Sequence, residues 1–244
     1  MIFVYAFTVL CVFAIAIVFL IRRQINFRMT DDFLSAEECQ YFIDRASLYL
    51  EKNHQTMGDN ASRTSTPVYL ESNDDVVMAV RLRAASYLNI PEGNLERLQV
   101  VRYTLTQEYH GHTDWFPGGK VIVDMPTSPD GSAALPYQRT STILVYLNDV
   151  LRGGQTSFPY LRKKVTPKAG TAVSWYNLWP NGKGNWLTFH AAMPVTKGMK
   201  WAVNIWAGDR DIQGAYAEYL EEQKIKGVGP DFPDTSKSPN KSEQ

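Results

Sequence analysis

Cysteine is scarce in this sequence, and neither sign of charge is in excess. The 244 residues include only Cys11 and Cys39, and because Cys11 lies in an apolar run, no disulfide within a folded domain is expected. The 25 basic and 25 acidic side chains give a formal net charge of zero, and no basic cluster is interleaved with aromatic residues. The charge pattern therefore does not indicate a nucleic acid partner. With 44% hydrophobic residues, the chain can form one sizeable core, or one domain with an appendage.

One stretch near the start, residues 2–21, lacks charged side chains altogether. As a helix, these residues would span about 30 Å, which is the hydrocarbon thickness of a bilayer. We therefore expect a single transmembrane anchor in residues 1–22. A cleaved signal peptide is the alternative, but its apolar region is usually only about 7–15 residues long and follows basic residues, which are absent here.

The sequence gives conflicting indications about the side of the membrane. Arg22 and Arg23 directly follow the apolar run and, by the positive-inside rule, would hold the rest of the chain in the cytosol. Asn60 and Asn240 begin glycosylation acceptor patterns, which are used only on the lumenal side. The side that carries the folded domain therefore stays open.

Two helices are predicted ahead of a region of short strands. Ser35 and Glu38 form a capping box before an apolar stripe, and a second helix runs from about Asp74 to Leu88. Strands are predicted near residues 99–103, 142–147, 171–176 and 200–207, separated by turns that contain proline and glycine. This order is typical of an antiparallel double-sheet barrel with helices on its outer face.

The predicted fold class is α+β, with a double-stranded β-helix (jelly-roll) core buttressed by N-terminal helices and preceded by one transmembrane helix. After the anchor in residues 1–22, a linker is expected in 23–31, the main domain in 32–210, and a short helix with a polar tail in 211–244. Within the domain, the aperiodic segment 117–138 has the length of a lid or binding loop.

A His-x-Asp pair, His112 and Asp114, is the first candidate for chemistry. Residues two apart in a strand point to the same face, so both side chains can reach one metal ion. His190, which precedes a strand-like run, is the candidate for the third ligand. Two imidazoles and one carboxylate on one side of a ferrous ion leave positions open for a cosubstrate and dioxygen. His110 shares the expected strand face and is a rival to His112, and two solvated polar residues before a turn are the plain alternative.

The surroundings of these residues resemble the prolyl 4-hydroxylase family of iron(II), 2-oxoglutarate-dependent dioxygenases. The resemblance extends from about Asp32 to Asp209, with the motifs in the same order and at the same intervals as in the family. The similar segments are residues 98–103, 107–109, 112–116, 139–142, 146–150, 153–158 and 190–195, together with Gly198, Lys200 and Trp201. The resemblance implies that His112, Asp114 and His190 bind iron, and the family spacing favours His112 over His110.

The resemblance also implies residues for the cosubstrate and for the primary substrate. Tyr103, Thr156 and Lys200 match family positions that bind 2-oxoglutarate, and a buried carboxylate does need a paired cation such as Lys200. Without the flanking pattern, a surface lysine at a strand end would be the preferred interpretation of Lys200. The positions that match those facing the substrate are Tyr109, Arg139 and Trp206, for which a purely structural role is an equal alternative.

The implied activity is hydroxylation of an unactivated C–H bond with Fe(II), 2-oxoglutarate and O₂, and with ascorbate to keep the iron reduced. Peptidyl proline is the first expectation for the substrate, and a free amino acid or small natural product is the alternative. A catalytically inactive binding barrel ranks lower, because the three presumed ligands and Lys200 are all present. Membrane-bound relatives indicate the endoplasmic reticulum, and the oligomeric state stays open.

Overall fold

The computed structural model describes residues 25–53, 64–70, 74–117, 137–212 and 214. The helices within these residues are α1 (Ala36–Asn53) and α2 (Asp75–Leu88). The strands are β1 (Arg28–Thr30), β2 (Thr66–Leu70), β3 (Leu98–Tyr103), β4 (Tyr109–His112), β5 (Arg139–Tyr146), β6 (Arg152–Gly153), β7 (Thr156–Phe158), β8 (Lys163–Val165), β9 (Ala172–Tyr176), β10 (His190–Ala192), β11 (Val195–Lys197) and β12 (Lys200–Gly208).

Several predictions fall on other parts of the chain. The predicted membrane anchor, Asn60, Asn240, most of the segment 117–138 and the tail lie outside the described residues. Among the residues that the structure does describe, no helix has both the length and the apolar character needed to cross a bilayer.

Both helices begin close to the predicted positions, and side chains cap their first turns. The Ser35 hydroxyl accepts a hydrogen bond from the Glu38 amide at 3.1 Å, and the Glu38 carboxylate accepts one from the Ser35 amide at 2.9 Å. At the start of α2, Asp74 accepts hydrogen bonds from two backbone amides, at 3.0 and 3.1 Å. The helix ends at Leu88 because Asn89 adopts a left-handed conformation with φ of 56°.

The strands form two main antiparallel sheets. The larger has the order β1-β9-β5-β12-β3-β2, the smaller has the order β4-β10-β7-β8, and β11 pairs with β6. Alternate residues of the large sheet face opposite ways. Val100, Ile143 and Val203 pack in a cluster with α1 and α2, whereas Val101 and Leu144 pack in a second cluster with the small sheet. The result is a jelly-roll core with both helices on the outer face of the large sheet.

The segment predicted as a linker, residues 23–31, contributes to this core. Its residues 28–30 form β1, which pairs with β9 along the edge of the large sheet. Ile25 is 1% exposed, and the Phe27 ring lies 5.1 Å from that of Phe158. Ile25 is thus buried and Phe27 packs on Phe158, whereas Met29 is 58% exposed, and the described part of the segment belongs to the fold.

Candidate metal centre and cosubstrate pocket

The structure brings His112, Asp114 and His190 together at one end of the small sheet. His112 and His190 are directly opposite each other where β4 pairs with β10, and Asp114 follows in the turn after β4. Nε2 of His112 lies 3.8 Å from Oδ1 of Asp114, and Nε2 of His190 lies 3.8 Å from Oδ2. One ligand atom from each residue lies within 4.8 Å of the others, a spacing that suits a single metal ion.

Backbone carbonyls fix which nitrogen of each imidazole is available as a ligand. Nδ1 of His112 lies 2.8 Å from the carbonyl oxygen of His110, and Nδ1 of His190 lies 2.9 Å from that of Thr188. A carbonyl oxygen can only accept, so Nδ1 carries the hydrogen in both rings. Nε2 of each ring is therefore the nitrogen left for a metal ion, and both Nε2 atoms face Asp114.

The rival histidine, His110, lies outside this cluster. Its side chain is 57% exposed, and its Nε2 lies 3.5 Å from Oε1 of Glu108. Strand β4 ends at His112, so Asp114 reaches the cluster from a turn rather than from a continuous strand face. The structure thus groups His112, and not His110, with the other two candidate ligands.

The Asp114 carboxylate is buried but surrounded by positive and donor groups. Burial alone would raise its pKa, yet the His190 and His112 imidazoles, the Arg139 guanidinium and a hydrogen bond from Thr142 together hold the pKa below its usual range. The carboxylate is therefore charged at neutral pH and available to bind a cation.

Lys200 places an uncompensated cation in the same region. The side chain is 2% exposed, and burial lowers the pKa of its ammonium group to about 7. Its Nζ lies 5.1 Å from the ring centre of Tyr103 and 5.4 Å from that of Tyr146. Burial is the sole cause of this pKa shift, and no carboxylate among the described residues compensates the charge. A buried ammonium of this kind fits a carboxylate ligand, which would supply the missing negative charge.

One pocket connects the candidate ligands with the candidate cosubstrate residues. Its walls include the three metal-ligand candidates, and also Tyr103, Thr156 and Lys200. Tyr146 donates a hydrogen bond to the Thr156 hydroxyl at 2.8 Å, which leaves the Thr156 proton free for an acceptor in the pocket. The arrangement suits a diacid that reaches from the metal to Lys200.

The three candidate substrate residues occupy different environments. Tyr109 and Trp206 line the pocket, and the Tyr109 ring stacks on His112 at 3.8 Å. Arg139 is 6% exposed and forms a two-pronged ion pair with Glu96, with Nη2 2.7 Å from Oε2. Its guanidinium lies 3.8 Å from the Trp206 ring, so Arg139 supports the pocket wall. Contact of these three residues with a substrate stays a prediction.

Sequence reasoning missed several polar residues beside the site. Glu96 is the buried partner of Arg139, and Thr142 donates a hydrogen bond to Oδ2 of Asp114 at 2.7 Å. Asn177 in turn donates to Thr142 at 2.9 Å. The sequence signals Thr142 only through its place in segment 139–142 of the resemblance, and it carries no signal for Glu96 or Asn177.

Comparisons of sequence are consistent with this geometry. Residues 98–208 match the model of the 2OG-Fe(II) oxygenase superfamily. The relative named probable prolyl 4-hydroxylase 7, from Arabidopsis thaliana, is 29% identical over 211 residues, which are 76% of this chain and 63% of the relative. Prolyl 4-hydroxylase subunit alpha-2 from Gallus gallus is 37% identical over 149 residues, 61% of this chain. The chain spans only 26% of the length of that relative.

Solved structures show the same fold. The viral collagen prolyl hydroxylase of Paramecium Bursaria Chlorella virus-1, in a complex with 2OG, is 28% identical with a TM-score of 0.58. The match covers 75% of this chain and 95% of the viral one. A prolyl-4-hydroxylase from Pseudomonas putida gives a TM-score of 0.51 at 16% identity, and supports the fold alone.

Proposed function

Since the chain belongs to the prolyl 4-hydroxylase family of 2-oxoglutarate- and iron(II)-dependent oxygenases, we propose that it hydroxylates an unactivated C–H bond of peptidyl proline. The observation that carries this proposal is the combination found in one pocket. Two imidazoles and a charged carboxylate converge there, and a buried ammonium without an ion-pair partner among the described residues lines the same pocket.

Each residue has a task that follows from its position. His112, Asp114 and His190 would hold the iron on one side, which leaves the pocket side open for ligands. When bound, the iron would use O₂ to couple the oxidative decarboxylation of 2-oxoglutarate to hydroxylation of the substrate, with one oxygen atom going to succinate and the other to the new hydroxyl group. Lys200 neutralises the far carboxylate of 2-oxoglutarate, and Thr156 donates a hydrogen bond to it. Ascorbate is the reductant that we propose for keeping the iron ferrous.

Anaerobic titration with iron(II) and 2-oxoglutarate tests the site directly. The complex should give a weak visible charge-transfer band, which His112→Ala should abolish because it removes one of three ligands. His110→Ala is the matched control, because His110 is exposed and outside the cluster, and it should keep the band. An unchanged band in His112→Ala would contradict the ligand assignment.

The substrate class needs a separate experiment. Succinate release should be stimulated by proline-rich peptides, and mass analysis should show one added oxygen on a proline residue. Free proline and small metabolites are the comparison, since a small-molecule oxygenase would use the same iron and cosubstrate residues. Turnover on small molecules without turnover on any peptide would refute the peptidyl substrate and leave the metal chemistry in place.

A further inference from the structure

A chain of hydrogen bonds between buried side chains ends on the Asp114 carboxylate. The Trp175 indole donates to Oδ1 of Asn177 at 2.9 Å, the Asn177 amide donates to the Thr142 hydroxyl at 2.9 Å, and Thr142 donates to Oδ2 of Asp114 at 2.7 Å. None of the four side chains is more than 4% exposed. The proposed reaction assigns no task to Trp175, Asn177 or Thr142.

The indole of Trp175 fixes the direction of every bond in this chain. An indole N–H can only donate, so the Asn177 atom that faces it must be the carbonyl oxygen. The Asn177 amide nitrogen then faces Thr142, whose oxygen has to accept. The single hydroxyl proton of Thr142 is left for Asp114. Because buried polar groups need partners, no hydrogen bond in this chain can reverse its direction without leaving another group unsatisfied.

The large sheet holds these hydrogen-bonded side chains next to two candidate metal ligands, Asp114 and His190. Thr142 and Trp175 are directly opposite each other where β5 pairs with β9, so their backbones are fixed by the ladder. The Trp175 ring also contacts the His190 imidazole, with ring centres 4.9 Å apart. Trp175 therefore touches one candidate ligand directly and reaches another through two intermediaries.

We propose that Trp175, Asn177 and Thr142 are positioning residues that preorganise Asp114 for the metal. Thr142 restrains Oδ2, while Oδ1 faces Nε2 of His112 at 3.8 Å and accepts no hydrogen bond from a described residue. Oδ1 is thus the oxygen most open to the ion. The proposal rests on the iron site of the proposed function, and it predicts that metal affinity depends on residues that never touch the metal.

Metal affinity of the full chain, measured by titration with Mn(II) in the absence of cosubstrate, tests the proposal without using activity. Thr142→Val removes the hydroxyl but keeps the shape of the side chain, and should weaken Mn(II) binding about 10- to 100-fold. Thr142→Ser restores the hydroxyl and should bind within about threefold of the wild type. Thr140→Val is the matched control, because the Thr140 hydroxyl on the same strand contacts the Ala207 carbonyl, and it should leave affinity unchanged.

A double-mutant comparison shows whether the hydrogen-bonded side chains act as one unit. Trp175→Phe removes the indole donor, so the Asn177 side-chain amide can flip. This change should weaken Mn(II) binding about 3- to 10-fold in the wild-type background. In the Thr142→Val background the same change should add no further loss, because the link to Asp114 is already broken. Fully additive losses would overturn the proposal.

The outcomes separate this inference from the proposed function. A wild-type chain that binds no Mn(II) would refute the iron site itself. Wild-type affinity in folded Thr142→Val, with the wild type binding normally, would refute only the positioning role. If Thr142→Val does not fold, Trp175→Phe decides alone, and unchanged affinity in that variant overturns the proposal.

Discussion

Replacing Lys200 with methionine should stabilise the protein while preventing it from binding 2-oxoglutarate. Burial lowers the pKa of the Lys200 ammonium from 10.5 to about 7, and no described carboxylate offsets this effect. Because one pKa unit corresponds to about 1.4 kcal/mol, the buried ammonium costs the fold about 5 kcal/mol below neutral pH. Methionine has a similar length and no charge, so Lys200→Met should recover up to about 5 kcal/mol of unfolding free energy.

The stabilisation should depend on pH with a defined sign. The unfolded chain keeps the Lys200 proton up to about pH 10.4, whereas the native protein releases it near pH 7. Between these values the unfolded state binds more protons, so the stability of the wild type rises with pH. The advantage of Lys200→Met is therefore greatest below pH 7 and is lost as the pH approaches about 10.

Urea denaturation of both proteins between about pH 6 and pH 9 measures this difference. Lys197→Met is the matched control, because Lys197 is exposed on the neighbouring strand β11 and should show no pH-dependent gain. Added 2-oxoglutarate should stabilise the wild type and not Lys200→Met, since only the native wild type binds it. A variant less stable than the wild type at about pH 6, or a difference that does not shrink with rising pH, would refute the reasoning.

Two further substitutions, the first with a control, test buried contacts elsewhere in the fold. Glu96→Gln leaves the buried Arg139 guanidinium without a carboxylate and should lower the unfolding free energy by about 3–5 kcal/mol in urea denaturation. Asp31→Asn is the control, because it breaks the exposed Lys168–Asp31 pair and should not shift the midpoint of urea unfolding. Equal losses in the two variants would show that burial does not make the Glu96–Arg139 pair more important. Gly184→Ala would place a methyl group 2.3 Å from the Trp115 ring. It should cost about 1–3 kcal/mol by the same assay, and an unchanged midpoint would show that Trp115 can move aside.

Local signals in the sequence were sufficient to predict both described helices and four of the twelve described strands, namely β3, β5, β9 and β12. Ser35, Glu38 and Asp74 are capping residues whose partners lie within three positions, so the sequence alone specifies their hydrogen bonds. The pairing of strands is different in kind. Strand β12 lies between β3 and β5, with Lys200 opposite Tyr103, and such a register depends on contacts about a hundred residues apart, which no local pattern encodes.

The same distinction explains what was missed at the site. The spacing of His112 and Asp114 was informative because two residues so close in the chain are confined to one neighbourhood. Thr142 lies 28 positions from Asp114, and Asn177 lies 35 positions from Thr142, so nothing in the sequence joins them. Glu96 is similarly 43 positions from Arg139. Each became recognisable only when the sheets brought it to its partner.

The buried charged side chains differ in whether a partner within the protein offsets their charge. Within the described core, Arg139 has Glu96, Asp114 has two imidazoles and Thr142, and Arg81 donates to backbone carbonyls, including that of Leu95 at 3.0 Å. Lys200 alone of these buried charges is left with aromatic rings and an open pocket. A partner offsets the cost of burial at Arg139, Asp114 and Arg81, and we propose that a carboxylate of the cosubstrate offsets it at Lys200.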